Sequence, residues 1–313
     1  MAAAINLVRT ADGDLAARVE HLVFALMPMR DGSLRTQSAY SPKDPSELKR
    51  SDFFASGLNA ANENDFLADV EGYALHLQQQ RALGRQTLSQ SDLRMWTSPW
   101  GRPDHGSKYA IGIASVSTPG HGGFIVMHHQ NELIDARWRT KADGYAGPIE
   151  DILDPEWRSR PADLQNVAFY EEDQQWAIVA VSFPELFTDY EKACARRTLM
   201  DAYPDEWEAI FGEAVPVELS SVLRLRAFHA TNKGRWIVTS AIHSKDEPGF
   251  TFVTAYRNGR DRRGRTHGTA RHFLLPSTEY IQRQRDSGVG HAVIDERSDR
   301  QVDASGHPLS VAA

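Results

Sequence analysis

From Met95 to Leu275 the apolar residues come in short runs separated by clusters rich in glycine, proline and charge, and this punctuation limits the fold more than any other feature. Apolar runs of about four to eight residues bounded by turn residues read as strands, whereas helices need a 3.6-residue rhythm sustained over about ten or more. Ala110–Val116, Phe124–Met127 and Trp176–Phe183 are therefore expected strands. Val222–Phe228 is expected to be a half-buried strand, because Leu223, Leu225 and Ala227 alternate with Arg224 and Arg226. Trp236–Ile242 and Phe250–Tyr256, joined through Pro248-Gly249, read as an antiparallel hairpin, with Phe273–Leu275 as a further strand before Pro276.

Helical rhythm is clearest at Phe66, Val70, Tyr73, Ala74 and Leu77, with Asn62 or Asn64 as N-cap and Gly84 as the stop. A short helix over Leu15–Met27, ended by Pro28, is expected before it. Pro184 suits a first helical turn leading toward Met200, and Pro204–Phe211 repeats the pattern with Gly212 as its stop. The fold class is α+β: a mixed or antiparallel sheet with flanking helices in the middle and an antiparallel, strand-rich C-terminal part. The expected divisions are an N-terminal arm (1–60), a motif-bearing domain (61–214), a strand-rich domain or subdomain (215–285) and a loosely held polar tail (286–313).

A chain of 313 residues is long enough for one large or two modest cores, and two are favoured. Its 41% hydrophobic and 25% charged residues are an ordinary globular balance. No apolar run approaches the roughly 18 residues of a membrane span, and the N-terminus lacks the basic start and apolar stretch of a signal peptide. With a single cysteine, Cys194, no intramolecular disulfide and no cysteine-rich zinc site can form. A reducing, cytoplasmic setting without membrane attachment is expected. Cys194 lies on a helical stretch beside Lys192, Arg196 and Arg197, which suits a small buried hydrophobe or a reactive thiol.

The net charge of −7 conceals an uneven distribution. Residues 146–220 hold 17 acids against 5 bases, while residues 221–285 hold 4 against 13. Such a chain either matches its own acidic and basic parts or presents the basic part to an anionic partner.

Four segments can carry chemistry. His105, His121, His128 and His129 lie close together in sequence, and His121 stands in Thr118-Pro119-Gly120-His121-Gly122-Gly123. Pro-Gly suits the centre of a type II turn. That turn would display His121 and leave the Gly122 and Gly123 amides approachable by an anion, or it is a plain hairpin tip. Tyr170-Glu171-Glu172-Asp173 gathers three carboxylates before an apolar stretch, enough to hold a divalent cation or share a proton, and equally consistent with a solvated turn. Trp96-Thr97-Ser98-Pro99-Trp100-Gly101 either packs over a core edge or forms a recognition surface. In the stretch 257–268, Arg257, Arg260, Arg262, Arg263 and Arg265 match phosphate oxygens, or are solvated and paired with acids. The Walker A, Gly-x-Gly-x-x-Gly, His-Glu-x-x-His, Gly-x-Ser-x-Gly and EF-hand patterns are all missing, which disfavours an NTPase, a dinucleotide enzyme and a serine hydrolase.

The combination Trp96-Thr97-Ser98-Pro99-Trp100-Gly101, Thr118-Pro119-Gly120-His121-Gly122-Gly123 and Tyr170-Glu171-Glu172-Asp173 resembles an uncharacterised domain family of alphaproteobacterial plasmid and phage-related proteins, over roughly residues 95–212. Phe273-Leu274-Leu275-Pro276 with Glu279-Tyr280 is similar to a segment that often follows that domain. The family has no established activity, so the resemblance implies a setting: an accessory protein of a mobile element, binding nucleic acid or a host protein. Two readings result. In the first, Arg257, Arg260, Arg262, Arg263 and Arg265 bind an anionic partner. In the second, a metal-assisted hydrolase or lyase uses His121 with Glu171, Glu172 and Asp173, and His105 nearby. A protein-binding surface built on Trp96 and Trp100 is a third. No cofactor is indicated by any motif.

Overall fold

The computed structural model describes residues 5–29, 32–56, 60–94, 98–142, 167–261 and 264–308, and these form an α+β protein with three antiparallel sheets. The chain divides into two compact units, Met1–Thr198 and Leu199–Ala313. In every sheet, strands adjacent in the order are consecutive in sequence, and where the connection is short only an antiparallel neighbour can be joined.

The first sheet comprises β1 (Leu7–Arg9), β2 (Leu15–Val19), β3 (Leu22–Pro28), β4 (Leu34–Tyr40) and β5 (Phe54–Ala55). The helix expected over Leu15–Met27 is thus a β-hairpin, reversed at Glu20, whose φ is +56°. The stretch expected as an arm carries this whole sheet. The cause is burial on two faces. Leu22, Phe24 and Leu26 enter one core cluster, and Val23, Ala25 and Met27 enter another. A strand covered on both sides shows no polar alternation, so its sequence cannot be told from a buried helix.

Helix α1 (Glu63–Leu83) begins and ends as read. The Asn62 side chain accepts from the Asp65 amide at 3.0 Å, and Gly84 closes the helix at φ +60°. Phe66 and Val70, with Tyr73, Ala74 and Leu77, pack against Phe24, Leu26 and Val19 of the first sheet.

Past Gly84 the chain enters the second sheet: β6 (Gln86–Thr87), β7 (His105–Ala110), β8 (Ile113–Ser117), β9 (Gly122–Met127) and β10 (Val167–Glu171). Short helices α2 (Gln90–Arg94), α3 (His128–Asn131) and α4 (Ala136–Arg139) lie along this stretch. The single strand expected over Ala110–Val116 is divided between β7 and β8 by a turn at Ile111-Gly112, with Gly112 at φ +82°. Trp176–Phe183 is not a strand but helix α5 (Trp176–Ser182), and Ala177, Ile178, Val179 and Ala180 are all buried. A helix enclosed on every side loses its polar stripe, and with it the periodic signal. Helix α6 (Asp189–Ala202) follows.

Arg85, one residue beyond the Gly84 cap, ties these elements together. Its guanidinium donates to both carboxylate oxygens of Glu191 at 2.8 and 2.6 Å and to the Leu186 carbonyl at 2.9 Å. It also stacks 4.0 Å above the Tyr109 ring centre and 5.5 Å from that of Phe187. Both side chains of the pair are largely buried, at 13% and 17% exposure. Burial opposes the Glu191 charge, but the Arg85 fork and the Thr188 amide outweigh it and hold the carboxyl below its usual range.

The second unit contains α7 (Pro204–Phe211), α8 (Ser221–Thr231), β11 (Trp236–His243), β12 (Phe250–Arg257), β13 (Arg271–Pro276), α9 (Ser277–Asp286) and β14 (Arg300–Val302). Gly212 stops α7 at φ +68°, and β11 pairs with β12 as an antiparallel hairpin, both as read. Val222–Phe228, however, lies in α8, capped by the Ser220 hydroxyl on the Leu223 amide at 3.2 Å. The alternation of Leu and Arg resembles a strand because leucines two apart can both be half-buried on a helix, and those here are. The tail is not loose. Ala292 and Ile294 join Trp236, Val253 and Phe273 in the core, the backbone of Ala292–Ile294 bonds to β11, and β14 pairs with β13. Arg283 clamps the buried Asp299 at 2.6 and 2.8 Å. A few well-placed apolar residues suffice once polar neighbours have internal partners.

Replacing Arg85 with alanine leaves Glu191 buried without its counter-charge, a change that costs about 3–5 kcal/mol. Denaturant unfolding of R85A should show a loss of that order, and R85K an intermediate one, since lysine lacks the fork. The Glu191 contribution is complete above the ordinary glutamate range and is lost as pH falls through its depressed value. The difference in stability between wild type and E191Q should therefore shrink on acidification.

Candidate functional site

The sheet register sorts the histidines. His105 pairs with Ser117, and Ser117 with Gly122, so His105 and His121 stand at one end of the second sheet. His128 and His129 follow β9 at the opposite end, where His128 meets Glu132 at 3.3 Å and His129 packs against Gly112. Residues close in sequence are separated by the length of a strand.

At the first end two His–carboxylate couples occur. His121 Nδ1 is 3.9 Å from Glu172 Oε1, and His105 Nδ1 is 2.9 Å from Asp104 Oδ1. Both imidazoles are exposed, at 67% and 83%. Glu172, His105 and Asp104 line a cavity of about 540 Å³ together with Ser107, Ser117 and Trp176; His121 stands outside its lining. The other two acids do different things. Glu171 accepts the Asp173 amide at 2.7 Å and the Gln174 amide at 3.3 Å, closing the turn into α5. Asp173 is exposed on that turn. The Tyr170 hydroxyl is buried and donates to Asn131 Oδ1 at 2.6 Å; burial pushes its pKa well up. Among the described residues no three His, Cys, Asp or Glu side chains come together as a metal site.

The turn differs from the expected type II form, since Gly120 does not take a positive φ. Thr118 holds it instead: its amide donates to the His121 carbonyl at 2.8 Å, and its hydroxyl oxygen accepts the His121 amide at 3.2 Å. Gly122 and Gly123 are buried strand residues rather than open amides, paired with β8 on one side. They are glycines because neighbours press on them. A Cβ on Gly122 would lie 2.7 Å from Glu172 Oε2, and one on Gly123 would lie 2.2 Å from the Tyr170 carbonyl and 2.5 Å from the Trp100 ring. Trp100 packs edge-on to Phe169 at 6.0 Å, which makes it part of a core edge. Trp96 lies outside the described residues.

The basic loop belongs to the second unit. Asp261 organises it: its carboxylate accepts from Arg265 Nε at 3.1 Å and lies 2.9 Å from His267 Nε2. Arg260 donates to the Gly264 and Thr239 carbonyls at 2.8 and 3.3 Å. Arg257 donates to the Gly234 carbonyl at 2.8 Å and lies 5.1 Å from the Trp236 ring centre. Arg262 and Arg263 lie outside the described residues. Register places Arg257 opposite Trp236, and the Asn258 amide donates to the Arg235 carbonyl at 2.9 Å, so Arg235 joins Arg257 and Arg260 at this sheet end.

Next to Arg235 a cavity of about 690 Å³ opens, lined by Arg224, Phe228, Asn232, Arg235 and His291. The His291 ring stacks on Phe228 at 5.7 Å. Burial, then the neighbouring His291, holds His229 below the usual histidine range. Sequence reading misses Arg224, Arg235 and His291 as one group. Only the local excess of arginine hints at it, because the three sit on a helix, a strand start and the C-terminal segment.

Residues 94–233 match a family described as a domain of unknown function (DUF7007). The match includes the tryptophan, histidine and acidic motifs and ends inside the expected strand-rich part, before the arginine loop. No curated protein and no solved structure matches the chain.

Overpacking at Gly123 should be severe for so small a change. The G123A variant is expected to lose at least about 1–3 kcal/mol, read as a lower denaturant midpoint. A W100A/G123A double variant should recover only part, because the Tyr170 carbonyl still blocks the methyl group.

Proposed function

We propose that this chain binds nucleic acid through the arginine-bearing end of its second unit, in an accessory role of the kind that the motif resemblance implies. The observation that supports it is the gathering of Arg235, Arg257, Arg260 and Arg265 about one sheet end, beside a cavity that adds Arg224 and the stacked Phe228–His291 pair. Guanidinium groups meet phosphate oxygens and flat rings meet bases. The internal bonds of Arg260 and Arg265 shape the loop, and each of these two arginines remains exposed.

Binding to duplex DNA and single-stranded RNA, followed by fluorescence anisotropy at several salt concentrations, should weaken steeply with salt. Alanine at Arg260, Arg262, Arg263 and Arg265 together should lower the duplex slope by about 0.9 for each phosphate that is no longer neutralised. Absence of salt-sensitive binding in the wild type removes this reading.

A second reading rests on the 3.9 Å approach of His121 to Glu172, with Asp104 and His105 at the same sheet end. An imidazole beside a carboxylate can take and return a proton, so this reading is of a hydrolase or lyase working by acid–base chemistry. Turnover of generic ester and phosphodiester substrates that is lost in H121A and in E172Q, with melting temperature retained, would support it. Equal turnover in both variants would eliminate it.

A further inference from the structure

In the first unit, helix α1 and the first sheet enclose a cavity of about 440 Å³ that neither reading uses. One wall is a single face of α1: Asp69, Gly72, Tyr73 and His76, three or four residues apart. The opposite wall is the sheet, where Tyr40 stands between His21 at 5.5 Å and Phe54 at 5.9 Å, its plane within 20° of both. Tyr190 of α6 closes one side, 5.2 Å from His76.

Four properties of this cavity point to one class of ligand. The rings are large and unusually open: Tyr40 is 68% exposed, Tyr190 48% and Phe54 47%. Asp69 is the carboxylate in the lining; it accepts a long hydrogen bond from Thr36 Oγ1 at 3.3 Å, and the other charge acting on it is a second acid, Asp65. Burial, opposed by Thr36 and reinforced by Asp65, pushes its pKa up, as expected for an acid lacking a counter-charge. His76 is locked by Thr188 Oγ1 at 2.8 Å, and burial holds its pKa down, which disfavours a positive charge there beside an incoming cation. Gly72 widens the space, since nothing among the described residues lies within 4 Å of where its Cβ would be.

We propose that this cavity binds a small organic cation, an amine or quaternary ammonium, with its charge against Asp69 and its alkyl groups against the faces of Tyr73 and Tyr190 and the exposed rim of Tyr40. Aromatic faces attract such cations through their quadrupole, more strongly when the site is partly desolvated. The volume suits a ligand of that size. An anion would meet the Asp69 carboxylate, and a neutral ligand would leave Asp69 unanswered.

The test is calorimetric titration of the full chain with choline and with tetramethylammonium, using 3,3-dimethylbutan-1-ol as choline's uncharged counterpart. Saturable binding of either cation is expected, weakened at least about tenfold in D69N and in the neutral counterpart. In G72L the side chain enters the open space and should abolish binding, while its melting temperature stays at or above that of wild type, because glycine is a poor helix former. Y40A should weaken binding without unfolding the protein. The proposal is overturned if neither cation binds, if the neutral alcohol binds as tightly, or if D69N or a folded G72L binds like wild type.

Discussion

The first unit depends on the bond between Arg85 and Glu191. Arg85 stands one residue past the Gly84 cap of α1 and one before the second sheet begins, so the guanidinium is placed where two layers meet. It answers one charge, one carbonyl and two rings at once. Each of the polar groups would be costly to bury alone. Because Glu191 lies in the first turn of α6 and Tyr109 belongs to β7, Arg85 ties both elements to the chain that leaves α1. The aromatic cavity inherits its shape from the same arrangement: α1 supplies one wall, and Tyr190, beside Glu191, supplies another.

Where chemistry can happen follows from strand register. Three consecutive reversals carry His105, His121 and Glu172 to one sheet end and take His128 and His129 to the other. The glycines beside His121 serve that register. Only residues without a side chain let β10 and Trp100 approach β9 so closely, and the same closeness brings Glu172 toward His121. What looks in sequence like a loop designed to receive an anion is a packing device whose side effect is a His–carboxylate pair.

Local signals are legible where short-range chemistry decides. The Asn62 and Gly84 caps of α1, the Gly212 stop of α7, the hairpin of β11 and β12, and β13 ending at Pro276 each depend on a few neighbouring residues. Burial erases the signal elsewhere. β3 and α5 are apolar almost throughout, and α8 displays a Leu–Arg alternation that mimics a strand. The C-terminal segment reads as a tail because its composition is polar, although Ala292, Ile294 and Val302 lie in the core. Of the candidate site, the His121–Glu172 approach is foreshadowed by residue type alone, and the turn closed by Glu171 by the solvated-turn alternative for the acidic stretch.

By itself the sequence determined the α+β class, the two ends of α1, the Gly212 stop of α7 and the concentration of arginine after residue 220, because propensity, capping and charge are properties of neighbouring residues. Only the tertiary structure decided which histidine meets which acid, that Arg224, Arg235 and His291 share a cavity, and that Asp69 faces a set of open rings. Those relations join residues far apart along the chain, Tyr40 with Tyr190 or Arg85 with Glu191. They arise from strand register and from which faces are buried together, and neither leaves a mark on any short stretch of chain.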